Sequence, residues 1–263
     1  MPDFQIGEKV ALVTGGATGI GLEYVRYLLQ HGLKGITILD INEEQALKAI
    51  EELGPNKVHF IKTDVTKKQE LRDAFKESVQ KWKGLDIVIN NAGIMNDSSW
   101  ELQVALNCNA VVEGCLLAFK YMSKHYGGNG GVVVNAGSIL SLREFSGCPI
   151  YTGTKHFIVG LTKSFGTPYF LNLTGVRFLT MCPGVTYTPL ISEAGRFALT
   201  DFPKIAEILV QDLGSYPAQQ PEDVAQGLIT MITKGENGSV WVSEGGEPVY
   251  EVILPDLKTW RKK

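Results

Sequence analysis

Short apolar runs separated by amphipathic stretches set the rhythm of this chain. Val10-Ala11-Leu12-Val13-Thr14 predicts a first strand, and Ile20, Tyr24, Leu28 and Leu29 then recur at helical spacing. Gly35–Asp40 predicts a second strand and Glu43–Leu53 a second helix, followed by a strand at Val58–Ile61. Leu71, Phe75, Val79 and Trp82 mark a third helix. Asp86–Ile89 predicts a fourth strand, residues 100–126 one long helix, Gly131–Asn135 a fifth strand, and residues 150–171 another helix. Val176–Met181 and Ser239–Val242 complete a set of seven strands, with a helix start at Pro221-Glu222-Asp223 before the last.

Strands that are apolar almost throughout, alternating with helices, imply a parallel sheet covered on both faces. The fold class expected is therefore α/β, a doubly wound seven-stranded parallel sheet. No linker or repeat divides the chain, so residues 1–263 read as a single domain. Residues 186–217 fit the alternation least well and read as an inserted segment lying over a site, a substrate-binding lid.

Composition narrows the function classes. Of the 263 residues, 44% are hydrophobic and 20% charged, and the formal net charge is -3 with no long basic run. That disfavours nucleic acid as a partner, which needs clustered positive charge. The terminal Arg261-Lys262-Lys263 reads as a solvated end. Cys108, Cys115, Cys148 and Cys182 form no CxxC pair and His31, His59, His125 and His156 no ligand spacing, so reduced structural thiols and no metal are expected. The first residues lack a basic start and an apolar stretch, no apolar run reads as a membrane span, and the sequons at Asn96, Asn172 and Asn237 read as chance. A cytoplasmic location without membrane association is the default.

The turn after the first strand is Thr14-Gly15-Gly16-Ala17-Thr18-Gly19-Ile20-Gly21. Glycine there lets backbone approach a pyrophosphate closely, and the following helix presents free N–H groups to it. Gly15, Thr18, Gly19, Ile20 and Gly21 are thus candidate cofactor contacts. Asp40 ends the second strand, where a carboxylate accepts hydrogen bonds from ribose hydroxyls and repels a 2′-phosphate. With no Arg or Lys in the turn and Ile41 following Asp40, the cofactor expected is NAD rather than NADP. Tyr151 and Lys155, four residues apart on a helix, share one face. An ammonium beside a phenol favours the phenolate, and a phenol so tuned can exchange a proton with an alcohol. Ser138, just past the fifth strand, can hold the reacting oxygen against Tyr151.

Five motifs in order resemble the short-chain dehydrogenase/reductase family: Thr14-Gly15-x-x-x-Gly19-x-Gly21, Asn90-Asn91-Ala92-Gly93, Ser138, Tyr151-x-x-x-Lys155 and Pro183-Gly184. The resemblance covers residues 5–245 and implies a Rossmann-like fold. It implies that Asn107 helps hold a proton-relay water near Lys155, that Asp64 and Val65 contact adenine, that Asn91 lies beside the cofactor ribose, and that Ala92 and Gly93 also contact the cofactor. It further implies that Pro183, Gly184, Val185, Thr186 and Thr188 meet the nicotinamide end. Within the family the chain looks most like hydroxyprostaglandin and insect alcohol dehydrogenases, which prefer NAD and pair through the helices holding Asn107 and Tyr151. A homodimer is therefore expected, with a tetramer as the alternative.

Cys148 stands where prostaglandin dehydrogenases have a glutamine, and Ser141 where the family often has glycine. These departures touch the substrate end and leave the chemistry intact. Leu142, Phe145, Cys148 and Tyr187, joined by Phe197 and Phe202, are candidates for an apolar substrate pocket, with Ser138 and Tyr151 at its reacting end. The function expected is NAD-dependent oxidation of an apolar secondary alcohol, lipid-, terpenol-, steroid- or hydroxyprostaglandin-like. The alternatives are a carbonyl reductase running the reverse reaction and a catalytically silent dinucleotide-binding protein.

Overall fold

The computed structural model describes residues 3–199, 201–255 and 259; the basic end at 261–263 lies outside the described residues. The strands are Val10–Thr14 (β1), Gly35–Asp40 (β2), Val58–Lys62 (β3), Ile87–Asn90 (β4), Gly131–Ala136 (β5), Val176–Pro183 (β6), Val240–Ser243 (β7) and Tyr250–Glu251 (β8). They form one sheet in the order β3-β2-β1-β4-β5-β6-β7-β8. The seven expected strands are all present and run parallel; the eighth, short and antiparallel to β7, was not expected. Its two residues are both exposed, so it carries no apolar signal.

The helices are Gly19–Gln30 (α1), Glu43–Leu53 (α2), Lys68–Trp82 (α3), Trp100–Val104 (α4), Ala110–Met122 (α5), Pro149–Phe165 (α6), Pro168–Thr174 (α7), Pro189–Ser192 (α8), Ile205–Ser215 (α9) and Pro221–Lys234 (α10). Alternation along the strands sorts the core into two layers. Ala11 and Val13, Ile87 and Ile89, and Val132 and Val134 pack with α1 and α10. Val10 and Leu12, Val88 and Val133 face the other way, onto α3, α5 and α6. Each such side chain, removed from water, contributes about 1.5–3 kcal/mol against the entropy of ordering the chain.

Two helices expected as continuous are broken. The stretch read as 100–126 contains a π-helical turn at Ala105–Asn109 between α4 and α5. The stretch read as 150–171 stops at Gly166, because Pro168 cannot continue a helix and starts α7 instead. Contrary to the reading that no run could span a bilayer, Asp97–Met122 is long and apolar enough by length and composition. It packs inside the domain, burying Asp97, Gln103, Asn107 and Glu113, which marks it as a core helix. All four cysteines are buried and unpaired.

β1 is bonded to β2 on one side and to β4 on the other, so the chain connections diverge at its C-terminal end. In open α/β sheets this switch point opens a crevice beyond the strand ends.

Candidate active site

A cavity of about 730 Å³ occupies that crevice. The turn Gly15–Gly21 forms its floor. Gly15 and Gly19 have φ of +65° and +55°, a region that disfavours side chains. A Cβ on Gly21 would sit 2.0 Å from the Gly15 carbonyl oxygen and 2.6 Å from Asn91 Nδ2. The turn is stitched to the end of β4: Asn91 Nδ2 donates to the Thr14 and Gly15 carbonyls, each at 3.1 Å, and Thr14 Oγ1 accepts the Asn91 and Ala92 N–H groups, each at 3.0 Å. The N-cap of α1, Thr18, makes no side-chain capping bond, and the first turn has no acidic residue. The positive helix end thus faces the cavity with no carboxylate of its own first turn against it, which suits a phosphate group. For Gly21→Ala the Cβ has no space without backbone movement, so about 1–3 kcal/mol of stability is expected to be lost. Thermal melting checks it.

Asp40 stands at the edge of the cavity. Its Oδ2 accepts the Ala17 N–H and its Oδ1 the Asn42 N–H, both at 3.0 Å, so the carboxylate is held toward the turn. Asp64 Oδ1 accepts the Thr66 N–H at 2.9 Å and the Thr66 hydroxyl at 2.6 Å. Asp64 and Val65 line the cavity with Asp40, and Pro183, Gly184, Val185, Thr186 and Thr188 line it with Ala92 and Gly93. The residues named from sequence as cofactor contacts therefore border one continuous cavity.

At its inner end lie Ser138, Tyr151 and Lys155. Pro149 at the first position of α6 and the i, i+4 spacing put Tyr151 and Lys155 on one face. Lys155 Nζ donates to the Ala136 carbonyl at 2.8 Å and lies 5.4 Å from the centre of the Tyr151 ring. Burial dominates both groups. It pushes the Tyr151 phenol above its usual range, opposed by a hydrogen bond from Ser138, and it pulls the Lys155 ammonium down to about 8. The Ser138 hydroxyl accepts the Leu140 N–H at 3.2 Å, which fixes its oxygen. Asn107 sits in the π turn, a feature frequent at functional sites. Its Oδ1 accepts the Ile94 N–H at 3.0 Å, while its Nδ2 donates to the Ile94 carbonyl at 2.9 Å and to Thr154 Oγ1 at 3.1 Å. Asn107 does not border the cavity; it stands behind Gly93, where an added Cβ would be 3.2 Å from Asn107 Oδ1 and 3.7 Å from Lys155 Nζ.

The substrate end departs from the sequence reading. Phe197 borders the cavity, whereas Leu142, Phe145, Cys148, Tyr187 and Phe202 do not. Thr186 is buried by its bridge to Gln219, so the next side chain, Tyr187, points outward and is 63% exposed. Phe145 packs at a tilt against Tyr216, ring centres 6.2 Å apart, and it is Tyr216 that forms the wall. Cys148 is buried in the core cluster at the start of α6, and Phe202 is exposed. The apolar wall is made instead by Ile94, Met95, Leu102, Leu106, Ile139 and Leu140, closed by Leu190, Ile191, Leu213 and Tyr216. Leu102 and Leu106 carried a readable signal, an apolar pair one helical turn apart. Ile94 and Met95 follow a strand end, where the crevice of such a sheet lies.

Residues 9–197 match the short chain dehydrogenase family. The NAD(+) 15-hydroxyprostaglandin dehydrogenase of Rattus norvegicus is 35% identical over 233 residues, covering 87% of each chain. Alcohol dehydrogenase 2 of Ceratitis cosyra is 33% identical over 241 residues, covering 90% of this chain and 92% of that one. Among solved structures, levodione reductase superposes with a TM-score of 0.77 at 22% identity, over 91% of this chain and 97% of that one, a likeness of fold.

Proposed function

The chain belongs to the short chain dehydrogenase family and is an oxidoreductase, and on that footing we propose that it oxidises an apolar secondary alcohol to a ketone using NAD. The observation that carries this reading is the meeting of Ser138, Tyr151 and Lys155 at the inner end of a cavity whose outer end is a glycine cradle flanked by Asp40. When bound, oxidised NAD would supply the hydride acceptor and a positive ring charge. Gly15, Thr18, Gly19, Ile20 and Gly21 would hold its pyrophosphate, Asp40 a ribose, Asp64 and Val65 the adenine, and residues 183–188 the nicotinamide end. The uncapped α1 terminus and the space that a Cβ at Gly21 would fill support that fit.

Ser138 holds the alcohol oxygen, Tyr151 takes the hydroxyl proton, and the carbon–hydrogen bond breaks with its electron pair leaving as hydride. Lys155 stabilises the phenolate by its charge, and Asn107 keeps the Ile94 loop closed over this end. Because burial raises the phenol, Tyr151 keeps its proton at neutral pH in the free protein. The positive ring charge of bound NAD, beside the Lys155 ammonium, would favour the phenolate and bring the phenol toward its working range. The proton kept in the free protein favours Tyr151 as a proton donor, so the reverse reaction, carbonyl reduction, is the second reading. Segment 186–217 is proposed as a lid, supported by Leu190, Ile191, Leu213 and Tyr216 on the cavity wall. Exposed Leu116 on α5 and Phe157 on α6 support a homodimer through those helices.

The test is NADH formation from NAD with short alkanols, terpenols, hydroxysteroids and hydroxyprostaglandins, beside Tyr151→Phe. Turnover that needs Tyr151 supports the reading; NAD binding without turnover on any of them refutes it in favour of a silent binding protein. The cofactor choice has its own test. Asp40→Ser with Ile41→Arg removes the carboxylate and adds a cation at the exposed rim. Loss of a charge-assisted hydrogen bond costs about 1.5–3 kcal/mol, so NAD kcat/KM is expected to fall about 10- to 100-fold while NADP becomes the better substrate. Unchanged preference would remove Asp40 from the cofactor site.

A further inference from the structure

Asp97 is 1% exposed and belongs to none of the roles above. It opens the 3-10 turn Asp97–Ser99 that follows β4 and reaches the start of α6. Its Oδ2 accepts the Ile150 N–H and its Oδ1 the Tyr151 N–H, both at 2.9 Å. Gln103, fully buried, donates its Nε2 to Asp97 Oδ1 at 2.9 Å and accepts the Asn96 N–H on Oε1 at 2.5 Å.

A helix start leaves its first N–H groups without partners inside the helix. In α6 the cap residue Cys148 offers no side-chain acceptor, and Pro149 has no N–H to satisfy. The orphan donors fall on Ile150 and Tyr151, and the acceptor comes from a segment some 50 residues away in sequence. The carboxylate takes three N–H donors on its two oxygens. Its burial is costly unless paired in this way, and a serine or aspartate at position 148 would have capped the helix locally at less cost. What the distant carboxylate adds is a rigid tie between α6 and the loop whose Ile94, Met95 and Asn96 line the cavity.

The geometry points to Asp97 as a positioning residue, which through the Tyr151 backbone sets where the phenol oxygen meets substrate. This rests on the reading of Tyr151 as acid/base. Displacement of a reacting group by about 1 Å costs on the order of 100-fold in rate. An asparagine accepts on one atom only and turns its NH2 toward the other N–H, so Asp97→Asn loosens the tie with little change in volume.

Asp97→Asn, Gln103→Leu and Tyr151→Phe are purified and assayed on the best alcohol found, with NADH binding followed by fluorescence. Asp97→Asn is expected to lower kcat about 10- to 100-fold with KM and the NADH Kd within about 2-fold. Gln103→Leu, which leaves both amide bonds in place, is expected to lower kcat less and in the same selective manner. Should Asp97→Asn not fold, Gln103→Leu decides. Wild-type kcat in these variants, or loss of kcat together with KM and Kd, overturns the positioning role. If Tyr151→Phe abolishes turnover and Asp97→Asn does not, the positioning role alone falls; if Tyr151→Phe turns over normally, both it and the acid/base reading fall.

Discussion

Tyr151→Phe is expected to lower kcat for alcohol oxidation by at least about 1000-fold while leaving the NADH Kd and the melting temperature nearly unchanged. One oxygen is removed from a side chain that is 7% exposed, so the packing of its ring against α6 and the cavity wall persists. The lost hydroxyl is partnered by Ser138, and Ser138 keeps the Leu140 N–H after the change. The freed Ser138 O–H borders the cavity rather than apolar packing, which is why stability holds. Turnover cannot be rescued by solvent, because the inner end of the cavity is walled by Ile139, Leu140 and Met95, all buried. Steady-state kinetics beside a fluorescence titration separates the two quantities. A variant that retains more than about one-tenth of wild-type kcat would dismiss Tyr151 as the proton-transfer group, since general acid–base catalysis contributes about 100- to 10,000-fold.

The sheet and the glycine-lined wall of the cavity were legible because each rests on a local signal. Val10–Thr14 followed by a glycine string states both a buried strand and a close backbone approach, and Asp40 closes the next strand where the switch-point rule puts a ribose contact. The apolar wall of the cavity was not legible, because it is made by tertiary packing of elements distant in sequence. Phe145 looks as apolar as Tyr216, yet the first stands behind the second. Tyr187 lies between residues of the wall and faces solvent only because the Thr186–Gln219 bridge fixes its neighbour inward. The π turn at Ala105–Asn109 escaped for a similar reason. Periodicity describes an uninterrupted helix there, and it is the bonds of Asn107 to Ile94 and Thr154 that accompany its distortion. Asp97 gives no periodic signal at all; its role follows from partners some fifty residues away.

Lys155→Met is expected to raise the melting temperature at pH 7 while turnover is lost, and the sign of the stability change is expected to reverse in alkali. Lys155 is 6% exposed, and burial pulls its ammonium from 10.5 down to about 8. Below pH 8 the lysine is charged in both folded and unfolded chains, and the folded state bears the full desolvation cost. Between pH 8 and 10.5 the folded chain gives up the proton first, so the unfolded state binds more protons and stability rises with pH. Above 10.5 both forms are neutral and the cost is gone. A shift of that size corresponds to about 3 kcal/mol, which methionine would recover at pH 7. Against it stands the bond from Nζ to the Ala136 carbonyl, whose loss leaves a buried acceptor unpaired at a cost of about 1–3 kcal/mol. The balance at neutral pH is a gain of up to about 2 kcal/mol, or up to roughly 4–8 °C in a chain of this length. At pH 11 only the lost hydrogen bond remains, and the variant becomes the less stable protein. Melting curves of both proteins from pH 6 to pH 11 would decide it: a difference that does not change with pH means that Lys155 carries no buried charge, and the argument that its ammonium stabilises the Tyr151 phenolate goes with it.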